Sequence, residues 1–235
     1  SKTQSNRRLR MIQHIDQQPP GQNLRRQIVG LNNRRTNALK IEGTNTDVTF
    51  ATSGGTQLYI GSGNILSVGA GQTLGNAALR VLGSAPAIAF GTLNETNTPP
   101  AGTALALTSV EGGILVDTGA SLTIEAALYN TQNVTKGLGG NLTSNTKQYF
   151  NAGANYFTIN GGTVTLNGGE NTLWQGAQGG TAGQHLAVGP GATLNLAGNS
   201  QMVGIIQSPN GTAFAGSGGT IINNTAATTA TLVSA

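Results

Sequence analysis

Glycine, asparagine and serine interrupt this sequence so often that no β-prone run outlasts a few residues. That punctuation constrains the fold more than any other feature. From residue 39 onward the chain reads LKIEG (39–43), DVTFA (47–51), TQLYIG (56–61), NILSVG (64–69), ALRVLG (78–83), TALALTS (103–109), GGILVD (112–117) and SLTIEAAL (121–128). Later runs are YFTING (156–161), GTVTLNG (162–168), HLAVG (185–189), ATLNLAG (192–198), MVGIIQ (202–207) and GTIINN (219–224). Short runs rich in Val, Ile and Thr between turn-forming residues are strand signals. With no long helical pattern between them, they predict an all-β solenoid, sandwich or barrel and exclude a doubly wound α/β fold. The 36 glycines, with abundant Asn and Thr, also argue against a helical bundle. Aromatic residues make up only 4% of the chain, so any core is built from Val, Ile, Leu and Ala. There is no cysteine to staple the fold, and no apolar run of ~18 residues to span a membrane as a helix.

A repeat narrows the options. Val68-Gly-Ala-Gly-Gln-Thr-Leu74, Val116-Asp-Thr-Gly-Ala-Ser-Leu122 and Val188-Gly-Pro-Gly-Ala-Thr-Leu194 share the pattern Val-x-x-Gly-x-[Ser/Thr]-Leu. They lie 48 and 72 residues apart, both multiples of 24. Val164 falls on the same lattice, and Phe50 matches the Leu74 position one rung earlier. Rungs at 92, 140 and 212 are degenerate. The expectation is a coil of about 24 residues, repeated about eight times, with strands stacked at ~4.8 Å into a body roughly 35–40 Å long. A narrow interior then demands small aliphatic side chains, and the turns demand Gly or Asn.

The motifs GATLNLAG (191–198), TINGGTVTLNGG (158–169) and GGTIINN (218–224) resemble right-handed parallel β-helix repeats. Such repeats occur in phage tail-spike and head-fibre proteins, autotransporter passengers and filamentous haemagglutinins. The resemblance covers most of residues 39–235 and implies an architecture, not a single family. A basic arm ahead of an all-β body is similar to viral capsid proteins, jelly-roll coat proteins included. A jelly-roll β-sandwich is therefore the second expectation for the fold; it needs longer strands and more aromatic residues.

Charge divides the chain at residue 40. Nine of the twelve basic residues lie in residues 1–40, Lys40 included, with Asp16 as the only acid there, a balance of +8; residues 41–235 carry −4. We take residues 1–38 as an extended, partly helical anchoring arm and 39–235 as the all-β body. Within the arm Arg7, Arg8 and Arg10 precede Met11, Ile12 and Ile15 at helical spacing, and Pro19 stops that stretch. Leu24, Ile28 and Leu31 fall at i, i+4 and i+7, interleaved with Arg25 and Arg26 and followed by Arg34 and Arg35. Apolar residues at helical spacing among arginines suit docking into a groove of a protein assembly. Contact with packaged nucleic acid or an anionic membrane is the second reading of the same arginines. No secretory-signal pattern opens the sequence, so synthesis without export is the expectation.

Catalytic chemistry finds little support. His14 and His185 sit in no metal-ligand spacing. The eight acids are scattered, and only Glu111, Asp117 and Glu125 lie close together. A glycosidase needs two carboxylates facing each other across ~5–9.5 Å, and these spacings enforce no common face. No phosphate loop is present, because Gly69, Gly71 and Gly75 match neither GxGxxG nor a GK[ST] motif. No enzyme activity, cofactor, metal or small-molecule substrate is expected. Tyr149, Phe150, Tyr156 and Phe157, with Trp174 nearby, form a candidate contact patch; plugging the solenoid locally is the alternative role. The expected function is a non-catalytic structural protein of a virus particle, most simply a phage, that associates with copies of itself and other shell proteins. A bacterial surface adhesin or extracellular filament subunit is the alternative.

Overall fold

In the computed structural model the described residues are 25–28, 34–50, 57–75, 87–93, 107–130, 132–150, 156–174, 185–208 and 218–234. Among them every regular element is a strand. The chain visits three rows of strands in a fixed cyclic order. It enters row 1 with β1 (Arg25–Ile28). The long strand β2 (Arg34–Glu42) then supplies row 2 with its first half and row 3 with its second, with a register shift between Thr36 and Ala38. Next, β3 (Asp47–Phe50) returns to row 1. The second circuit repeats this with β4 (Gln57–Val68), which again serves two rows, and β5 (Gln72–Leu74).

From there each row receives its own strand. β6 (Ala87–Leu93), β8 (Gly112–Val116) and β9 (Ser121–Ile124) make one circuit, into which β7 (Leu107–Ser109) is inserted as an antiparallel partner of β6. The tightest circuit is β10 (Ala127–Asn130), β11 (Val134–Gly137) and β12 (Asn141–Ser144). It is followed by β13 (Gln148–Phe150), β14 (Tyr156–Ile159) and β15 (Thr163–Leu166), then by β16 (Leu173–Trp174), β17 (His185–Val188) and β18 (Thr193–Asn195). β19 (Gln201–Val203), β20 (Ile206–Gln207) and β21 (Thr220–Ile222) follow, and β22 (Leu232–Ser234) pairs with β19. Row 1 is an eight-stranded sheet, β1-β3-β5-β9-β12-β15-β18-β21, while rows 2 and 3 share a twelve-stranded sheet bent through β2 and β4. All these pairings are parallel except β6–β7. Such all-β, parallel pairing is compatible with a solenoid, and it is not the antiparallel pairing of a jelly roll.

Alternation along four-residue strands decides which side chains stack inward. In row 1, Leu122, Leu142, Val164 and Leu194 occupy one register position in consecutive strands, all buried. Row 3 aligns Val134, Phe157 and Leu186 in the same way. Each such side chain contributes ~1.5–3 kcal/mol of burial. The outward positions of row 1 carry Thr123, Thr143 and Thr165 in register, half-buried side chains that suit a pleated surface.

The Val-x-x-Gly-x-[Ser/Thr]-Leu motif marks the corner between rows 3 and 1. Its glycines, Gly71, Gly119 and Gly191, all take φ between 70° and 79°, a left-handed conformation that favours glycine. As a ruler, however, the motif misleads. Val68 and Val116 end β4 and β8, which are adjacent in row 3, so their 48 residues are one circuit lengthened by the β6–β7 insertion. The 72 residues to Val188 are three circuits, through β11 and β14 to β17. Val164 lies in row 1 and is not equivalent to Val188, and Leu74 pairs with Val48, not Phe50. Three further expectations change. SLTIEAAL divides into β9 and β10 at a corner, and MVGIIQ divides into β19 and β20. Arg25–Ile28 is a strand paired with β3, so the helical spacing of Leu24, Ile28 and Leu31 does not describe that stretch. The run ALRVLG (78–83) lies outside the described residues.

Candidate functional site

The corners hold the chemistry-bearing side chains, and they hold them for the backbone. Lys136 occupies a core register position between Ile114 and Ile159 and is fully buried. Its Nζ donates to the carbonyls of Leu138 at 2.8 Å, Gly140 at 2.5 Å and Gly161 at 2.6 Å. The ammonium thereby serves turns of two successive circuits. Burial lowers its pKa from 10.5 to about 8. Gly162, with φ 64°, sits beside it; a Cβ there would meet the Gly140 carbonyl oxygen at 2.1 Å and Lys136 Nζ at 2.7 Å.

Buried glutamines do comparable work at the corner that opens row 2. Gln148 accepts from the Leu128 amide at 2.8 Å and donates to the Thr146 carbonyl and the Ser144 hydroxyl. Gln201 repeats the pattern, accepting from Leu173 N–H at 3.3 Å and donating to the carbonyls of Gly169 and Asn199. At the same corner, Asn145 donates to Glu125 at 2.7 Å and accepts from Asn167 at 2.9 Å, a polar ladder across three circuits.

The three acids that are close in sequence occupy different corners. Glu111 precedes β8 and accepts from Asn133, Asp117 follows β8 and accepts from the Thr118 amide, and Glu125 lies between β9 and β10. β8 alone spans roughly 16 Å, more than the ~5–9.5 Å of a carboxylate pair. His185 is buried, accepts the Ile205 N–H on Nδ1 at 2.8 Å and lies against the Tyr156 ring. Among the described residues no group of three His, Cys, Asp or Glu gathers in a metal-binding arrangement; His14 lies outside them.

The aromatic patch separates. Phe157 belongs to the core, whereas Tyr156 is half-buried on β14 beside His185. Phe150 shares a register position with the buried Asn130. Tyr149 and Trp174 do fall together, in a row that the sequence reading did not anticipate. Arg35, Tyr59, Ala89, Tyr129, Tyr149 and Trp174 occupy one register position in six successive row-2 strands. This position alternates with the core positions of Leu58, Ile88 and Leu128, and it spans roughly 24 Å at ~4.8 Å per strand. The signal was present as a tyrosine or tryptophan in four of the six strands, but the unequal spacing of the strands concealed it.

Arm residues Arg7, Arg8, Arg10, Met11, Ile12, Ile15, Leu24 and Leu31 lie outside the described residues. The inner arginines lie on edge strands. Arg25 and Arg26 pair with Asp47 and Val48, and Arg34 and Arg35 with Leu58 and Tyr59. β2 runs across residue 38, so the strand stack begins while the chain is still basic. Comparison with known proteins finds no matching family model, no matching curated protein and no matching solved structure.

Proposed function

We propose that this chain is a non-catalytic structural protein of a virus particle, from a phage, and that its body is a parallel β-solenoid of about eight circuits. Its basic N-terminal segment docks the solenoid into the assembly. The observation that carries this reading is where the reactive side chains are committed. Lys136, Glu125, Gln148 and His185 each bond to a turn or to the next circuit. A stack whose polar residues tie coil to coil is suited to rigidity and display. The inner arginines support the docking role, because they belong to the +8 segment of residues 1–40 and lie on the first strands of the stack.

The test separates the arm from the stack. Residues 1–24 precede β1, so their removal spares every described strand. The truncated chain is expected to keep the far-ultraviolet spectrum and melting temperature of the full chain, and to be lost from particles purified from the native source. Electron microscopy of those particles, with the chain identified in them by mass spectrometry, gives the reference. A truncated chain that enters particles at the full-length level overturns the docking role. Absence of the full chain from any particle overturns the structural reading itself.

A further inference from the structure

Two of the corners that open row 3 are closed by a side-chain acceptor. Asn133 Oδ1 accepts the Tyr156 amide at 2.9 Å, and His185 Nδ1 accepts the Ile205 amide at 2.8 Å. Each acceptor immediately precedes a core residue, Val134 or Leu186, and takes the amide of its neighbour in the next circuit. Ile205 is thereby held to β17 through both backbone groups, since its carbonyl accepts from the Leu186 N–H at 2.8 Å. The two acceptors differ in one respect. An amide oxygen accepts at any pH, whereas an imidazole nitrogen accepts only while it carries no proton. His185 is also 7% exposed, so the bond is made in a site that water barely reaches.

We propose that His185 is an acid-released latch between β17 and β20. Proton uptake at Nδ1 turns the acceptor into a donor that faces the Ile205 N–H, so the bond is lost and a charge is left in a buried site. The elements packed against β17 offer nothing to offset that charge. On β14 the facing side chain is Tyr156, its ring centroid 4.9 Å away, and β20 carries only Ile206 and Gln207. Residues 171–235 contain no Asp, Glu, Lys or Arg. Along the same column Glu111 is three strands off, roughly 14 Å at ~4.8 Å per strand, and accepts from Asn133. Lys136 is two strands off, on the core side. The released corner takes up the proton and the latched one does not, so release grows as pH falls. This inference stands independently of the particle reading, because it rests on this one corner.

Amide hydrogen exchange in the full 235-residue chain reads the latch directly. With intrinsic exchange rates divided out, protection at the Ile205 amide is expected to fall by more than about threefold between about pH 7.5 and pH 5. The ceiling is about 30-fold, set by a released imidazole of ordinary pKa near 6.5. The Tyr156 amide is the internal reference, because its acceptor on Asn133 does not titrate; its protection should change by less than about threefold. This comparison needs no variant. His185→Asn copies Asn133, so it should remove the pH dependence at Ile205. A fall of about threefold or less at Ile205 overturns the proposal, as does an equal fall at Tyr156. So does a His185→Asn chain that keeps the wild-type pH dependence at Ile205.

Discussion

Rows 1 and 3 of this protein solve the same packing problem with different residues. In row 1 the column from β9 onward, Leu122, Leu142, Val164, Leu194, is aliphatic. One strand earlier Gln72 holds that position and donates to the carbonyls of Ile41, Gly43 and Val68. In row 3 the column Ile65, Ile114, Lys136, Ile159, Val188 contains a lysine, as buried as its neighbours. The difference lies at the corner that follows. Turns free backbone carbonyls from the strand ladder, and a buried carbonyl without a donor costs ~1–3 kcal/mol. The Leu138–Gly140 turn, where Leu138 itself takes φ 65°, leaves carbonyls that Lys136 reaches from within. A core position in this stack is therefore apolar unless the adjoining turn needs a donor.

The largest effect should come from breaking row 1, where nothing compensates. Leu142→Ala removes a side chain packed between Leu122 and Val164 and is expected to cost about 3 kcal/mol, the middle of the range for such cavities. Urea unfolding measures it. A loss below about 1 kcal/mol would mean that the circuits relax into the cavity and that the column is not a tight core.

Lys136 offers a test on the other side of the comparison. Its pKa of about 8 in the folded chain lies below the 10.5 of the unfolded one. Between those values the unfolded state binds the additional proton, so stability rises with pH across pH 8 to 10.5 and is flat below. The rise is on the order of 3 kcal/mol at most. Lys136→Met keeps the volume and should abolish the slope while lowering stability at pH 7, because three carbonyls lose their donor. A variant with the wild-type slope would show that the titration belongs to another group.

Gln148 sharpens the rule by testing a neutral donor. Gln148→Leu deprives the Leu128 amide of its acceptor and the Thr146 carbonyl of its donor, both next to the core. The expected loss is about 2 kcal/mol, with faster hydrogen exchange at the Leu128 amide as the local readout. Stability within about 0.5 kcal/mol of wild type would mean that water replaces the side chain.

Legibility followed the same division. Row 1 can be read from triplets in which a polar residue flanks an aliphatic one, Ser121-Leu-Thr, Asn141-Leu-Thr, Thr163-Val-Thr and Thr193-Leu-Asn, together with their corner glycines. The 129–150 stretch is harder, because Asn130, Lys136 and Gln148 sit where a hydrophobic alternation would place apolar residues, and only the corner geometry explains them. The β6–β7 insertion defeated the fixed period, since one circuit of 48 residues looks like two of 24. Leu24, Ile28 and Leu31 suited a helix by spacing alone; parallel pairing with β3 decides the state of Arg25–Ile28, and that contact is not local. Arg35, Tyr59, Tyr129, Tyr149 and Trp174 form a row only after the circuits are in register.

The smallest effect belongs to the polar ladder outside the core. Asn167 donates to Asn145, which donates to Glu125, so the three stitch successive circuits from an exposed bond at Asn167 to a part-buried one at Glu125. Asn167 is exposed, and its removal costs no buried partner its bond. Asn167→Ala should therefore lower stability by under about 1 kcal/mol. Asn145→Ala, one circuit inward, should cost more, because Glu125 is buried and loses a donor. A double-mutant cycle on Asn145 and Asn167 measures the coupling, expected below about 1 kcal/mol. Coupling as large as the Gln148→Leu loss would place this ladder with the buried corners and erase the distinction between inside and outside donors.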